Sequence, residues 1–224
     1  VTTSNTKTLA VFGKANGKSG EEFLSEPRIF RSEIIKHREN LLIGSACYNG
    51  EVFEHGANSN DEMLAKAISF YDYIEIQPLQ NYLPLLNMHS VQDEQRLKDI
   101  LRRIINEAKR QNKIIVATGD VHYLTPADKK FRDIYIATQG VGGVRHPLYI
   151  YNAQVRRKSK NPDQHFLTTR QMLDAFSWLD DPNLIYDMVV TNTNKVYDMV
   201  ENTQPVPSGT YPPIIEGSSD KLSA

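Results

Sequence analysis

Leu97, Ile100, Leu101, Ile104, Ile105 and Ala108 form one apolar stripe, and the apolar run Ile114–Ala117 follows it within six residues. The stripe has helical period, and a helix with one apolar face must bury that face. The run is short and stopped by Gly119, so it reads as a buried strand. The same alternation recurs upstream. Leu41–Cys47 reads as a first strand. Asp61–Tyr71 carries Met63, Leu64, Ala67 and Ile68 at helical spacing, and Tyr73–Gln77 is a second strand stopped by Pro78. Thr125-Pro126 opens another helix, with Pro at its first position. Strand and helix in alternation imply parallel strands joined by helical crossovers. The fold class expected is therefore α/β.

The remaining elements are less regular. Ser32–Arg38 reads as a short helix. Ser90 is the expected N-cap of the long helix, with Asp93 as a capping-box acid. Lys109-Arg-Gln-Asn112 ends that helix with cations suited to its dipole. Thr138–Gln164 reads as a long irregular loop. Thr168-Thr-Arg-Gln171 is a capping box opening a helix to about Trp178, and Pro182–Glu201 reads as the last helix. From Gln204 the composition turns to Pro, Gly and Ser, as in a linker.

Composition excludes several classes. Twenty-six cations against 27 acids give a net charge of −1, so no global basic field steers the chain to nucleic acid. Cys47 is the sole cysteine, so no intrachain disulfide exists and a reducing, cytoplasmic setting is expected. No apolar run approaches the roughly 18–20 residues of a membrane span, so no membrane partner is expected. The N-terminus shows neither a signal-peptide pattern nor an initiator Met. The chain is expected to be a piece of something longer.

Asp120 and His122 follow the third strand two residues apart. On a strand such residues share a face, and the C-terminal ends of parallel strands are where α/β proteins place ligands. Asp and His together make half of a divalent-metal site. Cys47 closes the first strand and is also competent, although a lone Cys is more often a small buried hydrophobe than a ligand. Glu75, inside the second strand, reads as a cap for a neighbouring helix or a partner for an Arg. His37, His55, His89 and His165 offer no useful spacing, while His146 sits in a loop from which it could reach a site. The chain has no His-x-His and no His-Glu-x-x-His. Gly140-Val-Gly-Gly143 follows a helix and lacks the third glycine of a dinucleotide fingerprint. Arg156-Arg-Lys-Ser-Lys160, beside Tyr149 and Tyr151, fits either a solvated basic loop or contact with a phosphate backbone.

Two stretches carry a family resemblance. Pro27-Arg-Ile-Phe-Arg-Ser-Glu-Ile-Ile-Lys-His-Arg-Glu-Asn-Leu-Leu-Ile-Gly-Ser-Ala-Cys-Tyr-Asn-Gly-Glu51 resembles part of the PolC-type DNA polymerase III alpha subunits, and so does Val116-Ala-Thr-Gly-Asp-Val-His-Tyr-Leu-Thr-Pro-Ala-Asp-Lys129. Tyr211-Pro-Pro-Ile-Ile-Glu-Gly217 is similar to the junction before that family's palm. The resemblance implies the later part of a PHP (polymerase and histidinol phosphatase) domain, a distorted seven-stranded β/α barrel. It implies that Cys47, Asp120 and His122 match metal ligands, with zinc, manganese or iron as the ion. The family's first two ligand motifs are expected upstream, before an inserted exonuclease domain. Residues 1–26 would then be a weakly ordered return from that insertion, 27–203 the barrel part, and 204–224 a linker towards a polymerase domain. The partners implied are the rest of the polymerase chain and, through it, DNA and replisome subunits. Polymerase and 3′–5′ exonuclease activity would belong to the parent, and metal binding by this piece alone is expected to be weak. A stand-alone PHP-type phosphoesterase and a metal-free interaction module are the two other readings.

Overall fold

The computed structural model describes residues 30–140 and 145–202, together with 2–3, 143 and 209. The expected linker at 204–224, apart from residue 209, and most of segment 1–26 lie outside the described residues. The chain divides into two compact units: Leu42–Val200 with Val1, and Thr2–Leu41 with Glu201–Ala224. In the second unit, Thr2–Thr3 is a two-residue strand and α1 spans Arg31–Ile35. A 3₁₀ turn at Arg38–Asn40 follows, and Arg38 donates to the Leu41 carbonyl at 2.8 Å.

The larger unit is mixed α/β, mostly helical, around a small parallel sheet. Strand β1 (Leu41–Leu42) straddles the point in the sequence where the units divide, and past it Gly44 forms a parallel bridge with Tyr73. Strand β2 (Tyr73–Ile76) pairs in parallel with β3 (Ile114–Ala117), placing Tyr73 opposite Ile114 and Ile76 opposite Ala117. Ile115, Val116 and Ala117 are all buried. Between the strands run α2 (Glu51–Asn58), α3 (Asp61–Phe70), α4 (Leu83–Asn87) and α5 (Glu94–Arg110). The α5 stripe is buried at every expected position, against α2, α3 and β3. Its N-cap is Asp93, whose carboxylate accepts the Arg96 N–H at 2.7 Å, and not Ser90.

Past β3 the chain is less regular. Thr125 and Asp128 form a capping box over a 3₁₀ turn that leads into α6 (Lys129–Ala137). The expected loop contains α7 (Ala153–Lys158), because Asn152 accepts the N–H groups of Gln154 and Val155 and caps a helix there. The Thr168–Gln171 capping box opens α8 (Thr169–Ala175). The last helix is three pieces: α9 (Pro182–Tyr186), a π-helical turn (Asp187–Thr191) and α10 (Asn192–Asp198). This stretch lies along β3, where Asn192 donates its amide to the Ile115 carbonyl at 2.9 Å. The bond satisfies a β3 acceptor that β2 leaves free, which is how a sheet edge is protected from other chains.

Candidate functional site at the strand ends

The C-terminal ends of the strands gather the polar side chains. Strand β3 stops at Ala117, and Asp120 adopts a left-handed backbone with φ 49°. The shared strand face expected for Asp120 and His122 is therefore not what joins them. The reversal at Asp120 brings His122 Nε2 to 3.4 Å from Asp120 Oδ1, with both side chains a little over one third exposed. A left-handed turn costs a non-glycine residue free energy, and such residues collect at functional sites.

Gln164 organises this pair. It is 4 % exposed, donates its amide to Asp120 Oδ2 at 2.7 Å, and accepts the His122 backbone N–H on its own carbonyl at 2.9 Å. Its backbone N–H in turn donates to the Tyr123 hydroxyl at 2.9 Å. No spacing in the sequence links residue 164 to residue 120, so nothing in the pattern pointed to it.

The first strand path ends in a second strained turn. Ala46 has φ 59°, and Cys47 follows it as a half-buried free thiol. Glu75 Oε1 accepts the Ala46 N–H at 3.0 Å, so this carboxylate fixes the Cys47 turn and caps no helix. Ser45, buried beneath, accepts the Glu75 N–H on its hydroxyl at 2.9 Å. Burial first, then the charges of Cys47 and Asp120, push the Tyr48 phenol above its usual value. Tyr82 stacks on Phe53 at 5.3 Å, and burial chiefly, with Cys47 and Glu75 adding, keeps its phenol protonated.

His146 is held below the usual imidazole value by burial first, then by the Arg132 and His122 charges. It therefore lies within electrostatic reach of His122. Of the other histidines, His55 pairs with the Ser59 hydroxyl at 2.8 Å and His165 forms a parallel bridge with Tyr123.

Asp120 and His122 are competent metal donors. Among the described residues, however, no group of three His, Cys, Asp or Glu side chains is placed to hold one ion. Two donors do not complete a protein metal site. Around them, Gln77 Oε1, Asn81 Oδ1, Thr118 Oγ1 and Gln164 Oε1 are buried without a hydrogen-bond partner among the described residues. Unpaired buried acceptors are uncommon and costly in a finished fold, so this end of the sheet has polar capacity left over.

Comparison with known proteins gives a consistent result. Over 200 residues, 89 % of its length, the chain is 42 % identical to the DNA polymerase III PolC-type of Bacillus subtilis (strain 168). It is 39 % identical over 202 residues to the protein of that name from Halalkalibacterium halodurans, and 35 % over 212 residues to that from Latilactobacillus sakei. It spans about one eighth of these relatives, 13 % of the first two and 14 % of the third. No protein-family model matches the chain. No described helix is long and apolar enough to cross a membrane.

Proposed function

We propose that the chain is a segment of a PolC-type replicative DNA polymerase, drawn from the later part of its PHP barrel. In this reading Cys47, Asp120 and His122 are part of the ligand set for a divalent ion, zinc, manganese or iron. The observation that carries the proposal is the 42 % identity over 200 residues to a PolC-type polymerase. Two further observations support it. The parallel order β2–β3 with helical crossovers is what a slice of a β/α barrel contains. The leftover acceptors and the incomplete donor set at the strand ends match a site whose other ligands lie elsewhere in the parent. DNA synthesis, proofreading and replisome contacts belong to the whole polymerase in this proposal, not to these residues.

The test is metal analysis of the intact parent polypeptide. Asp120→Ala combined with His122→Ala should lower bound divalent metal per chain, and Cys47→Ala should do so independently. Unchanged metal content in a variant that still folds overturns the ligand assignment. The segment assignment is tested by the reading frame around Val1 and Ala224. A His-x-His upstream, separated from Val1 by an exonuclease domain, is the expected result.

A further inference from the structure

The basic run at Arg156–Lys160 is not absorbed by the metal reading. Between Asp133 and Asp163 there is no carboxylate, while Arg145, Arg156, Arg157, Lys158 and Lys160 all carry positive charge, in a chain whose net charge is −1. The structure arranges these charges around aromatic rings. Tyr149 lies between two guanidinium groups, Arg145 at 4.5 Å and Arg156 at 5.0 Å from its centroid. Tyr151 packs edge-on against Tyr149 with centroids 5.1 Å apart. Tyr135 meets His146 edge-on at 5.3 Å.

The segment is pinned where it enters and leaves. Arg145 donates to the Ala137 carbonyl at 2.9 Å. Lys129 donates to the Asn161 and Pro162 carbonyls and pairs with Asp163 at 3.0 Å. Arg156 is spent on the Ile150 and Tyr151 carbonyls, holding the tyrosine turn in place. Arg157, Lys158 and Lys160 are exposed and have no acidic partner among the described residues. Tyr151 is 77 % exposed and Tyr135 62 %. The surface also leads to the strand ends, since Pro147, Leu148, Ile150 and Lys160 line one groove with Tyr48.

We infer that residues 145–160 form a track for single-stranded nucleic acid, beside a groove that reaches Tyr48, the neighbour of Cys47. Free cations supply phosphate contacts, and exposed rings on a pinned turn supply stacking platforms, the two components of sequence-tolerant strand binding. A single strand is favoured over a duplex because only a single strand presents its base faces to Tyr151 and Tyr135. The inference rests on charge and ring geometry and not on the metal ligands.

The experiment is fluorescence anisotropy of a 5′-labelled 12-nucleotide oligo-dT with the full chain. EDTA is present, so that failure of the track and failure of the metal site are separate results. Three phosphate contacts on a single strand predict a log–log salt slope of about −2, or roughly an 18-fold loss of affinity from 50 to 200 mM salt. Arg157→Gln with Lys158→Gln and Lys160→Gln should flatten that slope. Tyr151→Ala should weaken binding by about 5- to 150-fold, the range for losing one stacked base. Unchanged circular dichroism of each variant shows that the fold is retained. Absence of binding at 50 mM salt overturns the inference, as does a triple variant that binds like the parent. Preferential binding to phosphatidylserine vesicles, or equal affinity for duplex with no effect of Tyr151→Ala, also overturns it.

Discussion

Gly50→Ala tests whether the Cys47 turn is fixed by backbone space. A Cβ at position 50 would stand 2.5 Å from the Ser45 carbonyl oxygen and 3.1 Å from that of Cys47. Both obstacles are backbone, and both are tied down. The Cys47 carbonyl accepts the Gly50 N–H at 2.8 Å, and the Ser45 N–H donates to Tyr73 at 3.2 Å. Gly50 itself has φ −81°, open to any residue, so the cost is steric and not conformational. Forcing extra volume into a packed site costs about 1–3 kcal/mol. For a domain of this size each kcal/mol lowers Tm by about 2–4 °C, so the expected drop is about 2–12 °C. Gly119→Ala is the matched control beside Asp120. Its Cβ would meet only side-chain ends, Met172 Cε at 3.3 Å and Val121 Cγ2 at 3.4 Å. Its effect should stay within about 0.5 kcal/mol, or roughly 2 °C. Thermal unfolding followed by circular dichroism reads both variants. Equal losses at the two positions, or no loss at Gly50, would refute the steric account.

Two further outcomes follow from local geometry. Asp93→Ala should destabilise the chain by about 1 kcal/mol through loss of the α5 cap, and Ser90→Ala by less than about 0.5 kcal/mol; urea unfolding at neutral pH separates them. His146 is held below its usual imidazole value, and its Nδ1 accepts the Leu148 N–H at 3.0 Å, a bond lost if that nitrogen is protonated. The unfolded chain then binds the proton more readily than the folded one. The His146 contribution is complete above the unfolded value of about pH 6.5 and declines as the pH falls below it. The urea midpoint should decline below that pH, and His146→Gln should flatten the decline; an unaltered decline would clear His146 as its source.

The residues most legible in the sequence are those governed by period or by local capping. The Leu97–Ala108 stripe, the buried Ile114–Ala117 run and the Thr168–Gln171 box each act through neighbours close in the chain. Helix α2 was not legible. Its Glu51–Asn58 stretch carries a glycine and starts without a side-chain cap. That glycine is where α2 meets α5: a Cβ on Gly56 would fall 2.7 Å from Ile104. The helix therefore depends on a packing partner about 50 residues away. The site divides the same way. Cys47, Asp120 and His122 could be nominated from residue type and position after apolar runs. The Gln164 amide, the Glu75 bond to Ala46 and the left-handed turns come from tertiary closure, which leaves no local pattern. The π turn is in the same class, since it forms where the last helix lies along β3.

The β2–β3 pairing also bears on how this chain is made. Tyr73 pairs with Ile114, 41 positions further on, so neither strand can find its partner by a tight turn. During synthesis β2 leaves the ribosome well before β3 exists. In the interval α5 can form as it emerges, and α2 and α3, already made, cover part of its apolar stripe while the face that meets β3 stays open. Sequence-distant pairing of this kind slows folding relative to helix formation. The delay exposes Ile74 and Ile76, which end fully buried. A nascent chain paused between Phe70 and Ile114 is thus the species most in need of a chaperone.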